Sequence, residues 1–182
     1  MDVTEFWKII DETRLASGGD HRKQAELLIT TLTKLTEAEI IDYQEILDNL
    51  QDEAYIAELW EVAYILDMGC GDDGFMDFRA WLIGQGKDIF YKALANPESL
   101  VEFVKLGQET KSESLLYVAL QAYELNTGKS GETMPSSRRF KPSPKLKGIS
   151  SKDENEILER FPKAKAKFWD WWLNNMDKWL EM

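Results

Sequence analysis

The spacing of apolar residues constrains the fold of this chain more than any other feature, because it follows a helical period almost throughout. A clear example begins at Thr36, which forms a Thr-x-x-Glu capping box with Glu39. Apolar residues then recur in line at Ile40, Tyr43 and Leu47. No stretch shows the sustained alternation that is typical of a β-strand. The sequence therefore predicts an all-α fold, a compact multi-helix bundle.

Other predicted helix starts carry similar signals. Asp2 with Glu5, and Ser151 with Glu154, also match the capping-box pattern. Asp20 is a candidate N-cap, because its side chain can accept hydrogen bonds from the first free N–H groups of a helix. These positions predict helices near the start of the chain, in its first third and near its end.

The residue composition is consistent with a folded body that needs no cross-links. The 182 residues include seven Trp, eight Phe and six Tyr, enough for the hydrophobic core of one domain with an appendage. A single cysteine, Cys70, excludes an intrachain disulfide and a Cys-rich zinc site. A single histidine, His21, excludes a multi-His metal centre. We expect no metal and no cofactor.

The first residues and the overall charge bear on location and partners. The opening MDVTEFWKII carries acids where a secretory signal carries basic residues. No run approaches the roughly 18 apolar residues of a membrane span. The sequence therefore predicts a soluble, cytoplasmic protein without membrane contact. The formal charge of −11 argues against nucleic-acid binding, which depends on clustered Lys and Arg, and favours basic partners.

Charge divides the chain into three regions. Residues 1–128 carry a net charge of −15, residues 129–152 carry +6 and residues 153–182 carry −2. Proline, glycine and serine are frequent in the middle region, which predicts an extended connector. We therefore expect an acidic helical domain, a basic Pro/Ser-rich connector and a C-terminal helical extension, with these boundaries.

The last predicted helix is unusually aromatic. Its apolar residues keep i, i+3, i+4, i+7 spacing and form one broad stripe of six residues: Trp169, Trp172, Leu173, Met176, Trp179 and Leu180. Such a stripe promotes aggregation when water covers it. We therefore expect this Trp-rich helix to pack back on the body, with a partner or a dimer contact as the alternative.

One segment gives the chain a recognisable family pattern. It is GCGDDGFMDFRAWLIGQG, from Gly69 to Gly86, and it continues to Asn96-Pro97. Together with the opening Phe6-Trp7 and the apolar residues 60–66, it resembles the uncharacterised bacterial family called domain of unknown function 4240. The resemblance covers roughly residues 1–128, and a later Arg-Phe-Pro at residues 160–162 resembles the tail of some members. It implies a bacterial protein, but no activity, cofactor or binding residues.

Two known loop types are excluded for this Gly-rich segment. An EF-hand loop that began at Asp67 would need glycine at Asp72 and glutamate at Phe78. A phosphate-binding loop would need lysine and serine or threonine where Phe75 and Met76 stand. The segment instead predicts a tight turn between helices.

In that turn, we expect Gly69 and Gly71 to adopt positive φ, and Asp72 or Asp73 to cap the next helix. Arg79 lies at the margin of the apolar stripe of that helix, so we expect it to pair with Asp72 or Asp73 in a structural clamp.

The alternative is a metal- or nucleotide-dependent enzyme that uses a polar cluster of Asp72, Asp73, Asp77 and Arg79. Carboxylates can bind Mg²⁺ or Mn²⁺, and the guanidinium can bind a phosphate. Catalysis by Cys70 is disfavoured, because the neighbouring Asp72 and Asp73 oppose formation of its thiolate.

A long acidic run is the competing feature. From Leu35 to Phe78 the chain has no Lys or Arg but 13 acids. Glu45, Asp48 and Asp52 are the candidate acidic face for a basic partner. The run favours a non-catalytic protein-binding or regulatory module.

Three alternatives to a basic partner protein remain for the acidic face and the basic connector. The connector itself can lie across the acidic face, through Arg138, Arg139, Lys141, Lys145 and Lys147. It can also contact nucleic acid, with Phe140 among its basic residues. The acidic face can instead be a solvated surface without a partner.

Overall fold

The computed structural model describes residues 1–136 and 144–179, and within them the helical prediction is confirmed. The longer helices are α1 (Val3–Ser17), α2 (His21–Leu32), α3 (Glu37–Glu53), α4 (Ala57–Asp67), α5 (Asp72–Gly84), α6 (Lys87–Ala95) and α7 (Val118–Thr127). The chain ends with α8 (Glu154–Arg160), α9 (Pro162–Ala164), a π-helical turn (Lys165–Trp169) and α10 (Asp170–Trp179). Short 3₁₀ turns occupy Pro97–Glu102, Glu113–Leu116 and Gly131–Thr133. The described part contains no strand, only one isolated bridge between Ile56 and Lys147.

Side-chain caps mark several helix starts, as predicted. The Asp2 carboxylate accepts the N–H groups of Thr4 and Glu5 at 2.7 and 2.9 Å. Thr36 and Glu39 form both halves of a capping box at α3. The third capping-box prediction was wrong, because Asp153 rather than Ser151 caps α8.

One hydrophobic core joins the helices of the body. Phe6 of α1 lies against Tyr43 of α3, with ring centroids 4.7 Å apart. Phe78 and Trp81 of α5 are buried beside them in the same core. The core also includes residues near the end of the chain, such as Phe168. The body and the C-terminal extension therefore share one core.

The Trp-rich end of the chain packs back on the body, as the sequence predicted. Trp169 is buried and stacks on Tyr64 of α4, with centroids 5.6 Å apart and planes 24° from parallel. The indole N–H of Trp172 donates to the Leu66 carbonyl at 2.8 Å. Leu173, predicted to belong to the same stripe, is 53% exposed. The side chains of Met176 and Trp179, and the whole of Leu180, lie outside the described residues.

Backbone groups also hold the extension in place. Glu98 accepts the N–H groups of Lys163 and Ala164 at the start of α9, at 2.6 and 3.3 Å. Lys167 donates to the carbonyls of Val101 and Val104, at 2.6 and 2.8 Å. The N–H groups at the start of α9 and the carbonyls at the end of the 3₁₀ turn Pro97–Glu102 thus obtain hydrogen-bond partners from side chains. Among the described residues, no helix combines the length and the apolar character needed to cross a bilayer.

Candidate functional site

The Gly-rich turn between α4 and α5 differs from the prediction at two points. The backbone reverses at Met68 (φ 51°) and at Gly69 (φ 141°), so the positive φ predicted for Gly69 is confirmed. Gly71 has an ordinary φ of −78° and is itself the N-cap of α5. Asp72 and Asp73 lie inside the first turn and do not cap it, so both of those expectations were wrong. Their charges still favour the helix start, where the helix dipole is positive.

Arg79 is buried and points at the end of α3. Its Nη1 donates to the Gln51 carbonyl at 2.6 Å, and its Nε donates to the Phe75 carbonyl at 3.2 Å. The guanidinium also lies 4.8 Å from the Tyr55 ring centre and 4.9 Å from the Phe75 ring centre. The Gln51 carbonyl belongs to the last turn of α3, where carbonyls lack partners within the helix. Arg79 therefore joins α5 to α3.

The predicted clamp between Arg79 and an aspartate was wrong. Asp72 and Asp73 are exposed, and no ion pair between described residues joins either of them to Arg79. The guanidinium instead contacts carbonyls and rings. Asp72 and Asp73 stand about two helical turns before Arg79, roughly 10 Å along the axis, beyond the i, i+3 and i, i+4 spacings at which side chains of one helix meet.

Asp77 completes the candidate polar cluster. Burial, together with the nearby carboxylates of Glu113 and Asp73, raises the pKa of Asp77. Nevertheless, the described residues contain no group of three or more His, Cys, Asp or Glu side chains arranged to hold a metal ion. With Arg79 directed at α3, this geometry does not support the enzyme alternative.

Cys70 is half-buried in the turn, where the Trp60 indole N–H donates to its carbonyl at 2.7 Å. Burial raises the pKa of the Cys70 thiol to about 11, and the opposing effect of Lys111 is smaller. At neutral pH the thiol is therefore protonated, and protonated thiols are poor nucleophiles.

We expect Cys70 to react slowly with a disulfide reagent such as Ellman's reagent. A rise in pKa from 9.0 to about 11 lowers the thiolate fraction near pH 8 about 100-fold. Because the folded pKa is raised, the rate should climb about tenfold per pH unit from pH 7 to pH 10. The measurement compares native protein with urea-unfolded protein. Equal rates for the two at pH 8 would contradict the assignment.

Four carboxylates follow the outer side of α3 and are called here the acidic stripe: Asp42, Glu45, Asp48 and Asp52. All four are partly buried, and they repeat every three or four residues, so they share one side of the helix. The opposite side carries the buried Tyr43 and Leu47. The structure thus brings the three predicted face residues, Glu45, Asp48 and Asp52, onto one side of one helix.

Cationic groups of the same chain already lie at several points along α3. The Met1 amine hydrogen-bonds to Asp42. Lys129 donates to Glu37 at 2.9 Å, and this hydrogen bond lowers the pKa of Glu37. Lys147 donates to the carbonyls of Asp52 and Glu53, at 3.2 and 3.0 Å. Amines therefore bind both to carboxylates of α3 and to its C-terminal carbonyls.

The predicted contact between the connector and the acidic face is described only in part. Lys145 is exposed, and Lys147 reaches carbonyls at the end of α3 rather than carboxylates. Arg138, Arg139, Phe140 and Lys141 lie outside the described residues, so their predicted contacts stay predictions.

The rest of the acidic run is not one solvated surface. Glu61 of α4 has a side chain only 1% exposed, and it accepts Arg160 Nη1 at 2.6 Å and the Ser151 N–H at 2.7 Å. Asp67 accepts the Thr110 hydroxyl at 3.0 Å and pairs with Lys111 at 3.2 Å. Sequence reasoning missed the Glu61 ion pair. One indication of this pair was present in the sequence, because Glu61 is a carboxylate in α4, the most apolar helix of the body.

Comparison with known proteins addresses the family but not the chemistry. The family described as "Protein of unknown function (DUF4240)" matches residues 1–125. The chain belongs to this family. The DUF4240 region covers α1 to α6 and ends inside α7, so α8 to α10 lie beyond it. No curated protein and no solved structure matches the chain.

Proposed function

We propose that this protein is a non-catalytic protein-binding module whose acidic stripe recognises a Lys- and Arg-rich segment of a partner protein. The observation that carries the proposal is the alignment of four carboxylates along the outer side of α3, with amines already bound to that helix. A basic segment that lies along the stripe would place its Lys and Arg side chains opposite carboxylates that repeat every three or four residues.

The electrostatics of α3 favour such a partner. Like charges three or four residues apart on a helix destabilise it by about 0.2–0.5 kcal/mol per pair. A cationic segment relieves this repulsion, and the surrounding negative field speeds its approach. The stretch from Leu35 to Phe78 contains 13 acids and no Lys or Arg, so the cations that bind α3, such as Met1 and Lys129, come from elsewhere.

A peptide-binding experiment tests the proposal. Fluorescence anisotropy would follow a labelled peptide of alternating Lys and Arg as it binds the full-length protein at low salt. We expect the triple variant Glu45→Gln, Asp48→Asn, Asp52→Asn to bind about tenfold more weakly, since each exposed pair contributes up to about 1 kcal/mol. The affinity of the unchanged protein should also fall as salt rises.

A matched variant separates the stripe from overall charge. Glu12→Gln, Glu26→Gln and Glu159→Gln together remove the same three charges from exposed positions elsewhere. We expect this control to bind the peptide almost as well as the unchanged protein. Equal weakening in both triple variants would show a general charge effect and overturn the proposal.

A further inference from the structure

A cavity of about 330 Å³ lies between α4 and the segment that leads into α8. Its walls are largely apolar and come from Trp60, Tyr64, Leu146, Cys70 and Ile157. This size lies at the lower end of the roughly 300–1,000 Å³ that is usual for small-molecule sites. The cavity is separate from the acidic stripe, which lies on α3.

Internal stacking fixes the two aromatic walls. Trp60 stacks on Phe75, with ring centroids 4.7 Å apart and planes 11° from parallel. Tyr64 stacks on Trp169 and donates its hydroxyl to Glu154 at 2.7 Å. Each ring uses one face for its internal stack, and both side chains still line the cavity. Rings held in this way need little reordering when a ligand binds.

The charges around the cavity are of both signs. The buried Glu61 carboxylate is neutralised by Arg160 and does not require a ligand cation. Lys152 and Glu154 both line the cavity and are exposed, so they stand at its rim. Lys152 forms no ion pair with any residue of the described ranges. The rim therefore carries the ammonium group of Lys152 and the carboxylate of Glu154, and the cavity inside it is largely apolar.

We propose that this cavity binds an α-amino acid with a large apolar side chain. The side chain would occupy the space lined by Trp60, Tyr64 and Ile157. The ligand carboxylate would pair with Lys152, and the ligand ammonium would pair with Glu154. A zwitterion satisfies both rim charges at once, whereas a simple cation or a simple anion satisfies only one.

Calorimetry on the full-length protein tests the proposal with three probes of similar shape. These are L-phenylalanine, 3-phenylpropionate, which lacks the amine, and phenethylamine, which lacks the carboxylate. We expect L-phenylalanine to bind most tightly. Each single-charge probe should bind about two- to fivefold more weakly, the range that exposed ion pairs supply.

Two variants assign each charge to its partner. Lys152→Gln should weaken L-phenylalanine about two- to fivefold and leave phenethylamine unchanged. Glu154→Gln should weaken L-phenylalanine similarly and leave 3-phenylpropionate unchanged, while its amide oxygen can still accept the Tyr64 hydroxyl. Glu159→Gln, on the same helix but outside the cavity lining, is the control and should bind all three probes normally.

The outcomes divide clearly. The crossed pattern, in which each variant affects only probes that carry the matching group, supports the proposal. Absence of heat with all three probes, or equal effects of both variants on every probe, overturns it. The triple variant of the acidic stripe should bind L-phenylalanine normally, so failure of the peptide-binding proposal leaves this result unaffected.

Discussion

Replacing Arg160 with alanine is expected to lower the free energy of unfolding by about 2–3 kcal/mol, between the small contribution of an exposed ion pair and the roughly 3–5 kcal/mol cost of removing one partner from a fully buried pair. The guanidinium is 40% exposed, but the Glu61 side chain that it contacts is only 1% exposed. Without Arg160, that carboxylate keeps only the Ser151 N–H as a described hydrogen-bond donor. Urea unfolding of the full-length protein measures the loss.

Two further variants separate charge from packing. Arg160→Lys keeps the positive charge, so we expect it to lose less stability than Arg160→Ala. The double variant Glu61→Met, Arg160→Met removes both charges and should also lose less than Arg160→Ala, because apolar replacements of buried pairs are often neutral. A loss below about 1 kcal/mol for Arg160→Ala would contradict the prediction that the Glu61–Arg160 pair stabilises the fold more than an exposed pair does.

Hydrogen exchange locates the effect of Arg160→Ala in the structure. Arg160 ends α8, and the segment that follows buries Phe168 and Trp169 against the body. We therefore expect amides from Lys163 to Trp169 to lose protection before those of α1 or α3. Uniform loss over all helices would show that the extension and the body unfold as one unit.

Gly86→Ala is expected to destabilise the protein by about 2–3 kcal/mol, because it combines backbone strain with steric overlap. Gly86 has φ +94°, a conformation that residues with a Cβ rarely adopt. A Cβ at this position would also overlap the Asp11 carboxylate. Thermal or urea unfolding measures the change.

Gly71→Ala is the matched control for this substitution. Gly71 has an ordinary φ, and a Cβ there would meet no atom within 4 Å. Because glycine is preferred over alanine at an N-cap, we expect Gly71→Ala to lower stability by up to about 1 kcal/mol, less than Gly86→Ala. Comparable losses in the two variants would show that the conformation of Gly86 is not the cause.

Helix positions were largely predictable from the sequence. The capping box at Thr36 and Glu39 and the cap at Asp2 depend on residues three positions apart, so their chemistry is readable without the fold. The apolar spacing of Ile40, Tyr43 and Leu47 similarly indicates which side of α3 is buried. The burial of Trp169 followed from the cost of leaving such a stripe in water.

Partners of buried polar groups were not predictable in the same way. Arg79 contacts Gln51, which is 28 residues away, and Arg160 contacts Glu61, which is 99 residues away. The sequence suggested Asp72 or Asp73 for Arg79 because they are close in the chain, but they stand outside the i, i+3 and i, i+4 spacings that bring side chains of one helix together. The polar cluster around Asp72 and Asp73 was inferred from proximity in the chain, and that proximity does not specify side-chain direction.

By itself, the sequence determined the helical class, the helix starts at Asp2, Asp20 and Thr36 and the concentration of negative charge on α3, since each depends on residues within one or two turns. The family match agrees with the Gly-rich segment from which it was inferred. Tertiary packing decided that Glu61 is buried and pairs with Arg160, that Arg79 donates to a carbonyl of α3 and that a cavity forms beside Trp60. These contacts join distant parts of the chain, and their geometry exists only after the helices have packed.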